Sequence, residues 1–288
     1  MTELELHELR RARWRLDGRP VRTLDEAREF LDSVGFCLLY PVRPPVLAPT
    51  FIGAWVGSDE NLPTWQHAFA DARALEAIEL MVRLLREKSA FEANLFPETS
   101  FLIASSLFPF VYGLIGDRNP RQQQHKAGTR SEYSPLARDV FEAIRQHGKI
   151  SKPRLREVLG GDPSSAALDR ALNELWARLR ITRVDYSREE GASWDALYRW
   201  APEPVRAGIN ISVAEALSAL VSKYLDCTVA AEQSAVENFF SRLVPKSRVR
   251  DAINAMLAAR EFSFVPVGNK SMLQIAPRRE NTRPQRRA

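Results

Sequence analysis

Apolar residues in the C-terminal half recur first at helical and then at strand spacing. Leu136, Val140, Phe141 and Ile144 predict an amphipathic helix that ends at Gly148. A short Lys149-Ile150 link leads to Ser151, which can cap a second helix carrying Leu155, Val158 and Leu159 and stopping at Gly160-Gly161. Asp162-Pro163-Ser164 opens a third helix, where Leu168, Leu172, Leu175 and Leu179 repeat at steps of four, three and four. The pattern then becomes β-like: Ile181 to Ser187, a turn at Glu189-Glu190-Gly191, and Ala196 to Trp200.

Three helices followed by a β-hairpin is the winged-helix layout, and it recurs. Pro202 and Pro204 break the chain, and Ser212-Val-Ala-Glu215 forms a capping box before Leu217, Leu220, Val221 and Tyr224. A second helix covers Ala230 to Arg242, with Val236, Phe239 and Phe240 on its buried side. A third begins near Pro245 and carries Val249, Ile253 and Leu257. It gives way to Phe262 to Val267, a turn at Gly268-Asn269, and Met272 to Ile275. Weak self-similarity between residues 177–184 and 258–265, each the exit of a third helix, argues for tandem modules.

The N-terminal part is less regular. It predicts a helix from Asp25 to Ser33, an apolar strand from Phe36 to Tyr40, and a Pro-rich stretch ending near Pro49. A long helix follows with Trp65, Phe69, Ala72, Leu75, Ile78, Val82 and Leu85 on one side. Two β-like runs, Phe91 to Phe96 and Phe101 to Ser105, fit a further wing. The expected fold class is mainly α with small β-hairpins (α+β), arranged as tandem winged-helix domains. The expected division is an N-terminal helical extension over 1–22, a divergent winged-helix-like domain over 23–117 and a linker over 118–134. Winged-helix domains then cover 135–201 and 202–277, and a disordered basic tail covers 278–288.

Charge changes this picture in one respect. Residues 1–120 hold 13 Lys/Arg against 17 Asp/Glu, a net of −4, and residues 121–288 hold 28 against 19, a net of +9, so the C-terminal half is the basic one. The tail accounts for five arginines and one glutamate. A basic folded region plus a basic tail suits a polyanionic partner, because neutralising phosphates releases counterions. The candidate DNA-binding residues in the middle unit are Lys152, Arg154 and Arg156 at the start of its second helix, Arg170 and Arg178 on its third, and Arg183 and Arg188 in its wing. In the last unit they are Lys246, Arg248 and Arg250 at the start of helix three, with Lys270 in the wing turn. Winged-helix proteins reach phosphates and base edges from such positions.

Catalytic and metal signatures are missing. His7, His67, His125 and His147 are scattered without zinc-ligand spacing, and no phosphate-binding Gly-Lys loop or Gly-x-Ser-x-Gly elbow occurs. Cys37 and Cys227 lie far apart in sequence and read as small core residues. Trp176, Trp194 and Trp200 read as core packing rather than base-stacking groups. No apolar run reaches the roughly 18 residues of a membrane helix, and the N-terminus lacks the apolar centre of a signal peptide. The expectation is a cytoplasmic monomer with double-stranded DNA as partner, no membrane, no metal and no cofactor.

The order of units, Leu31-Asp-Ser-Val-Gly-Phe-Cys-Leu-Leu-Tyr40 and Ala143-Ile-Arg-Gln-His-Gly-Lys-Ile-Ser151 resemble the AlkZ-like family of the AlkZ and YcaQ type across roughly Leu24 to Ala276. The resemblance implies three tandem winged helices and DNA binding. It also implies that active members carry Gln-x-Gln or Gln-x-Asp in the stretch corresponding to Val34 to Pro41, able to place a water against the sugar carbon. This chain has Phe36-Cys37-Leu38-Leu39-Tyr40 there. Gln122-Gln-Gln124 has the right letters but sits in the linker. The reading is a DNA-binding relative without glycosylase activity and without an assigned catalytic residue. Two alternatives remain open: an active glycosylase in alkylation or crosslink repair with non-standard catalytic residues, and a transcription regulator.

Overall fold

The computed structural model describes residues 1–64, 70–96, 99–121, 133–161 and 163–277. Helix α1 (Glu3–Arg13) starts at a reciprocal cap: Thr2 Oγ1 accepts from Glu5 N at 3.1 Å, and Glu5 accepts from Thr2 N at 2.7 Å. Helix α2 (Leu24–Val34) is capped the same way by Thr23 and Glu26. It stops at Gly35, whose φ of 78° suits glycine, and a Cβ there would collide with Lys223 and Leu107. Strand β1 (Phe36–Leu38), helix α3 (Phe51–Val56), helix α4 (Ala72–Arg86) and the antiparallel hairpin β2 (Ala90–Phe96) and β3 (Thr99–Ala104) follow. The sheet order is β1-β3-β2. Trp65 and Phe69, expected on the same helix as Leu85, lie outside the described residues. Helix α5 (Phe108–Ile115) leads out of this region.

The same order recurs in α6 (Pro135–His147), β4 (Ile150–Ser151), α7 (Lys152–Val158), α8 (Ser165–Trp176), β5 (Ile181–Ser187) and β6 (Gly191–Ala196). Its sheet order is β4-β6-β5, equivalent to the first. One expectation needs correcting. Ala196 to Trp200 is not a strand, because β6 ends at Ala196 and Leu197–Trp200 form a short helix, α9. Ala196 pairs with Ile181, the first residue of β5, so the ladder has no partner beyond that point. The chain turns instead, with Leu197 N donating to Arg180 O at 3.0 Å and Ala201 N to Leu197 O at 2.8 Å.

Pro202 opens helix α10 (Pro202–Asn210), where a missing N–H costs nothing. A third round then comprises α11 (Val213–Thr228), α12 (Gln233–Phe240), α13 (Lys246–Ala258), β7 (Phe262–Val267) and β8 (Lys270–Ile275). An isolated antiparallel bridge from Ala231 to Leu273 takes the place of the first strand. The whole is an α+β fold with small sheets.

The first sheet is buried on both faces. Phe36, Leu38, Phe91, Phe101 and Ile103 point into one core together with Leu217, Tyr224, Val236 and Phe239 from α11 and α12. Cys37, Leu39, Ala90, Leu102 and Ala104 point into a second core with α2, α3 and α4. The alternation follows the two-residue period of a strand, and double burial explains why residues 36–40 form an unbroken apolar run. Phe239 is the hinge of the first core. Its ring lies 4.7 Å from Tyr224, 5.1 Å from Phe96 and 5.6 Å from Phe36, centroid to centroid. Phe239→Ala is expected to lower stability by about 3–5 kcal/mol, read as a shift in the urea midpoint. A change below about 1 kcal/mol would show that this junction is not a packed core.

Candidate nucleic-acid interface

Helix α8 buries Leu168, Leu172, Leu175 and Trp176 and turns Arg170 and Asn173 outward; it ends at Trp176, short of the expected Leu179, so Arg178 is exposed in the turn that follows. Ser164 caps its start, its hydroxyl accepting from Ala167 N at 3.2 Å. The outward face borders an open cleft of about 730 Å³. Its other walls are Asn94 to Phe96 at the end of β2, Leu114 to Gly116 at the end of α5, and Arg242 and Leu243 between α12 and α13. Three arginines from separate elements, Arg170, Arg178 and Arg242, therefore face one space.

The cleft is electropositive because three arginines face a single carboxylate, Glu174. Glu174 accepts from Ser134 N and from Ser134 Oγ, each at 2.7 Å, and so ties the start of α6 to α8. The Arg242 guanidinium lies 4.6 Å from the Phe96 ring centroid, a cation–π contact that positions the charge. Oriented arginines with attached apolar ledges match the phosphate-and-sugar surface of a duplex.

The remaining basic residues fall into smaller groups. On α7, Lys152 pairs with Asp169 at 2.6 Å and Arg154 with Glu157 at 2.6 Å, while Arg156 is exposed without an ion pair among the described residues. At the start of α13, Arg250 and Lys246 stand 3.1 and 3.5 Å from Glu237, and Arg248 is exposed. Lys270 pairs with Glu232 at 2.5 Å. Arg188 lies beside Glu79 at 3.9 Å, both largely exposed.

Arg183 departs from the expectation of a wing contact. Its guanidinium is turned inward, 2.9 Å from Glu92 and against the rings of Trp176 and Trp194 at 4.5 and 5.1 Å. Its side chain is only 24% exposed, and Glu92 only 2%. The cause is register: β5 packs against β2, and a buried carboxylate there needs a charged partner. Trp176 and Trp194 pack edge to face at 5.1 Å, as core residues.

Glu237 is another buried carboxylate with basic neighbours. Arg250 above all, with Gln233 and Lys246, holds its pKa down to about 2 from an ordinary 4.5, against the opposing effect of burial. Its native pKa is depressed, so the stability it contributes is complete above about pH 4.5 and is lost as pH falls towards 2. Glu237→Gln is accordingly expected to be less stable than wild type near neutral pH, with the gap narrowing as pH falls from about 6 to about 3. Urea midpoints of both proteins across that range provide the check, and a gap independent of pH would refute the assignment.

The stretch from Phe36 to Tyr40 offers no group for activating water. All five residues are buried, and burial pushes the Cys37 thiol well above its ordinary value. Burial, followed by the Glu92 carboxylate, raises the Tyr40 hydroxyl to about 12. Gln122 to Gln124 lie outside the described residues. Glu29 is exposed on α2, 4.0 Å from Arg15. Among the described residues no group of three or more His, Cys, Asp or Glu could hold a metal, and no single helix is long and apolar enough to cross a membrane.

Arg242 and Phe96 were not among the residues singled out from sequence. The available signal was an arginine flanked by Phe240 and Leu243 in the turn before a basic helix start.

No curated protein matches the chain. Among solved structures, the Streptomyces sahachiroi DNA glycosylase AlkZ is similar in fold, with a TM-score of 0.61 at 14% identity, over 96% of this chain and 70% of that one. A sequence model of the AlkZ-like DNA glycosylases matches residues 63–288. The chain therefore belongs to the AlkZ-like DNA glycosylase family.

Proposed function

We propose that the chain is a monomeric, cytoplasmic protein that binds double-stranded DNA mainly through its backbone and does not excise bases. In this reading the three repeats are winged-helix units over about 23–117, 135–201 and 202–277, with α4, α8 and α13 as their third helices. The helix order and the equivalent sheet orders of the first two units support it, as does the hairpin that follows α13.

The observation that carries the proposal is the cleft in which Arg170, Arg178 and Arg242 meet. It draws on the third helix of the middle unit, the hairpin of the first and the helix–helix turn of the last. A duplex seated there would contact all three units, which makes a second subunit unnecessary for affinity. Lys246, Arg248 and Arg250 extend the positive surface beyond Arg242 along α13.

The test is binding of a labelled duplex measured at several salt concentrations. Micromolar or tighter affinity at low salt, weakening steeply as salt rises, is the expected result. Absence of duplex binding at low salt would remove this reading and favour a protein-interaction role.

A further inference from the structure

A second cavity lies where the first unit meets the hairpin of the middle one. Its volume is about 230 Å³, and it is separate from the arginine cleft. Leu39 and Ile52 line one part of it, Ile78, Met81 and Leu85 of α4 another, and Tyr186 and Ala192 come from the β5–β6 hairpin. The wall is apolar except where Glu92, Arg183 and Asp185 reach it together with the tyrosine rings.

Each carboxylate at the wall already has a cationic partner. Arg183 neutralises Glu92, and Asp185 is paired with Arg86 at 2.7 Å and with Lys149. A cationic ligand would find no unpaired carboxylate there and an anionic one would face Glu92, whereas a neutral ligand meets neither cost. Hydrogen bonding is less complete. The Glu92 side chain is 2% exposed, and only its Oε1 takes a hydrogen bond, from Arg183 Nη1 at 2.9 Å, among the described residues. Its other oxygen belongs to a carboxylate in the cavity wall and can accept from a donor that enters. The main chain of Glu92 is fixed as well, its carbonyl accepting from Trp176 Nε1 at 3.2 Å and from Thr182 Oγ1 at 3.0 Å. The acceptor is thus held by contacts from the middle unit.

We propose that this cavity is a binding site for a neutral, compact bicyclic aromatic molecule carrying one hydrogen-bond donor. Size selects the ring system: an apolar cavity of about 150 Å³ accommodates benzene, so this larger one has room for two fused rings. The apolar walls take the ring faces, and the free oxygen of Glu92 takes the donor. Small-molecule sites of this kind, apolar with one placed polar group, occur preferentially between domains.

Indole and benzofuran form the test pair, since they match in shape and only indole has an N–H. Titration calorimetry on the full chain is expected to show one equivalent of indole bound, with benzofuran at least about tenfold weaker, the factor a hydrogen bond to a charged acceptor supports. The Met81 methyl resonance of the wild-type protein should shift saturably with indole, locating the ligand without any variant. Ala77→Phe places a ring in the cavity and is expected to abolish the titration while the protein stays folded. Glu92→Gln, if folded, should bring the two ligands to similar affinity. No saturable indole binding, equal affinity of wild type for both compounds, an unmoved Met81 methyl, or indole binding by folded Ala77→Phe at the wild-type level would each overturn the proposal.

Discussion

Replacing Arg170, Arg178 and Arg242 together by glutamine is expected to weaken duplex binding roughly a hundredfold or more near 0.1 M salt, and to reduce the slope of log affinity against log salt by about 2 to 3. Each arginine that neutralises one phosphate contributes about 0.9 to that slope, so three contacts set the figure. All three side chains border the cleft, and none of the three has an ion pair among the described residues. Their loss removes positive charge without stranding a buried acid. Glutamine keeps most of each stem, which preserves packing such as that of Arg242 on Phe96.

Two comparison variants make the result specific. Arg183→Gln also removes one positive charge, yet it should leave the salt slope unchanged, because that guanidinium faces Glu92. It should instead cost about 3–5 kcal/mol of stability, the usual consequence of leaving a buried carboxylate without its partner. Replacing Lys152, Arg154 and Arg156 should flatten the slope less than the cleft variant does. Lys152 and Arg154 already serve Asp169 and Glu157. If the cleft variant and wild type share the same slope, the duplex lies elsewhere on the surface.

The local elements of the C-terminal half were legible because their periods are long and their caps conventional. Helices α6, α8 and α13 carry apolar stripes across three turns, and Ser134 and Ser164 supply capping oxygens. In the N-terminal part α3 has only six residues, fewer than two turns, which is too short for a helical period to show. Helix α5 was missed for a different cause: its Phe-Pro-Phe-Val-Tyr-Gly-Leu-Ile sequence is apolar on most sides, and it packs against both α10 and α11.

The candidate site was partly legible. Arg170 could be placed on the outer face of a helix from the Leu168 to Leu179 stripe alone, whereas Arg178, expected on the same helix, lies in the turn after Trp176. Arg242 and Phe96 could not be joined to them, since residues 146 apart in sequence meet only through the packing of the first core against α12. The inward turn of Arg183 toward Glu92 was hidden for the same reason. Strand alternation gives two faces but does not tell which one meets Glu92, 91 residues away.

Single-turnover reactions with excess protein, on duplexes carrying an alkylated purine or an interstrand crosslink, are expected to release no base even where the duplex is bound well. Glycosidic cleavage needs stabilisation of a cationic sugar and a positioned water, and losing one such group typically costs ~10² to 10⁴ in rate. In this chain the stretch that the sequence resemblance places at the family's glutamine motif lies between two apolar cores: Phe36 and Leu38 face the first, and Cys37 and Leu39 the second. The Cys37 thiol stays protonated at neutral pH because burial raises its pKa, and Tyr40 does the same at about 12. Leu38→Gln would not restore turnover, since Leu38 is 2% exposed and a glutamine there would bury its amide among aromatic rings. Such a variant is expected to lose stability and gain no excision. Release of an alkylated base by the unmodified chain would show that catalytic groups act from outside this strand, and alanine substitution at Gln122, Gln124 and Glu29, measured in the same single-turnover assay, would then locate them.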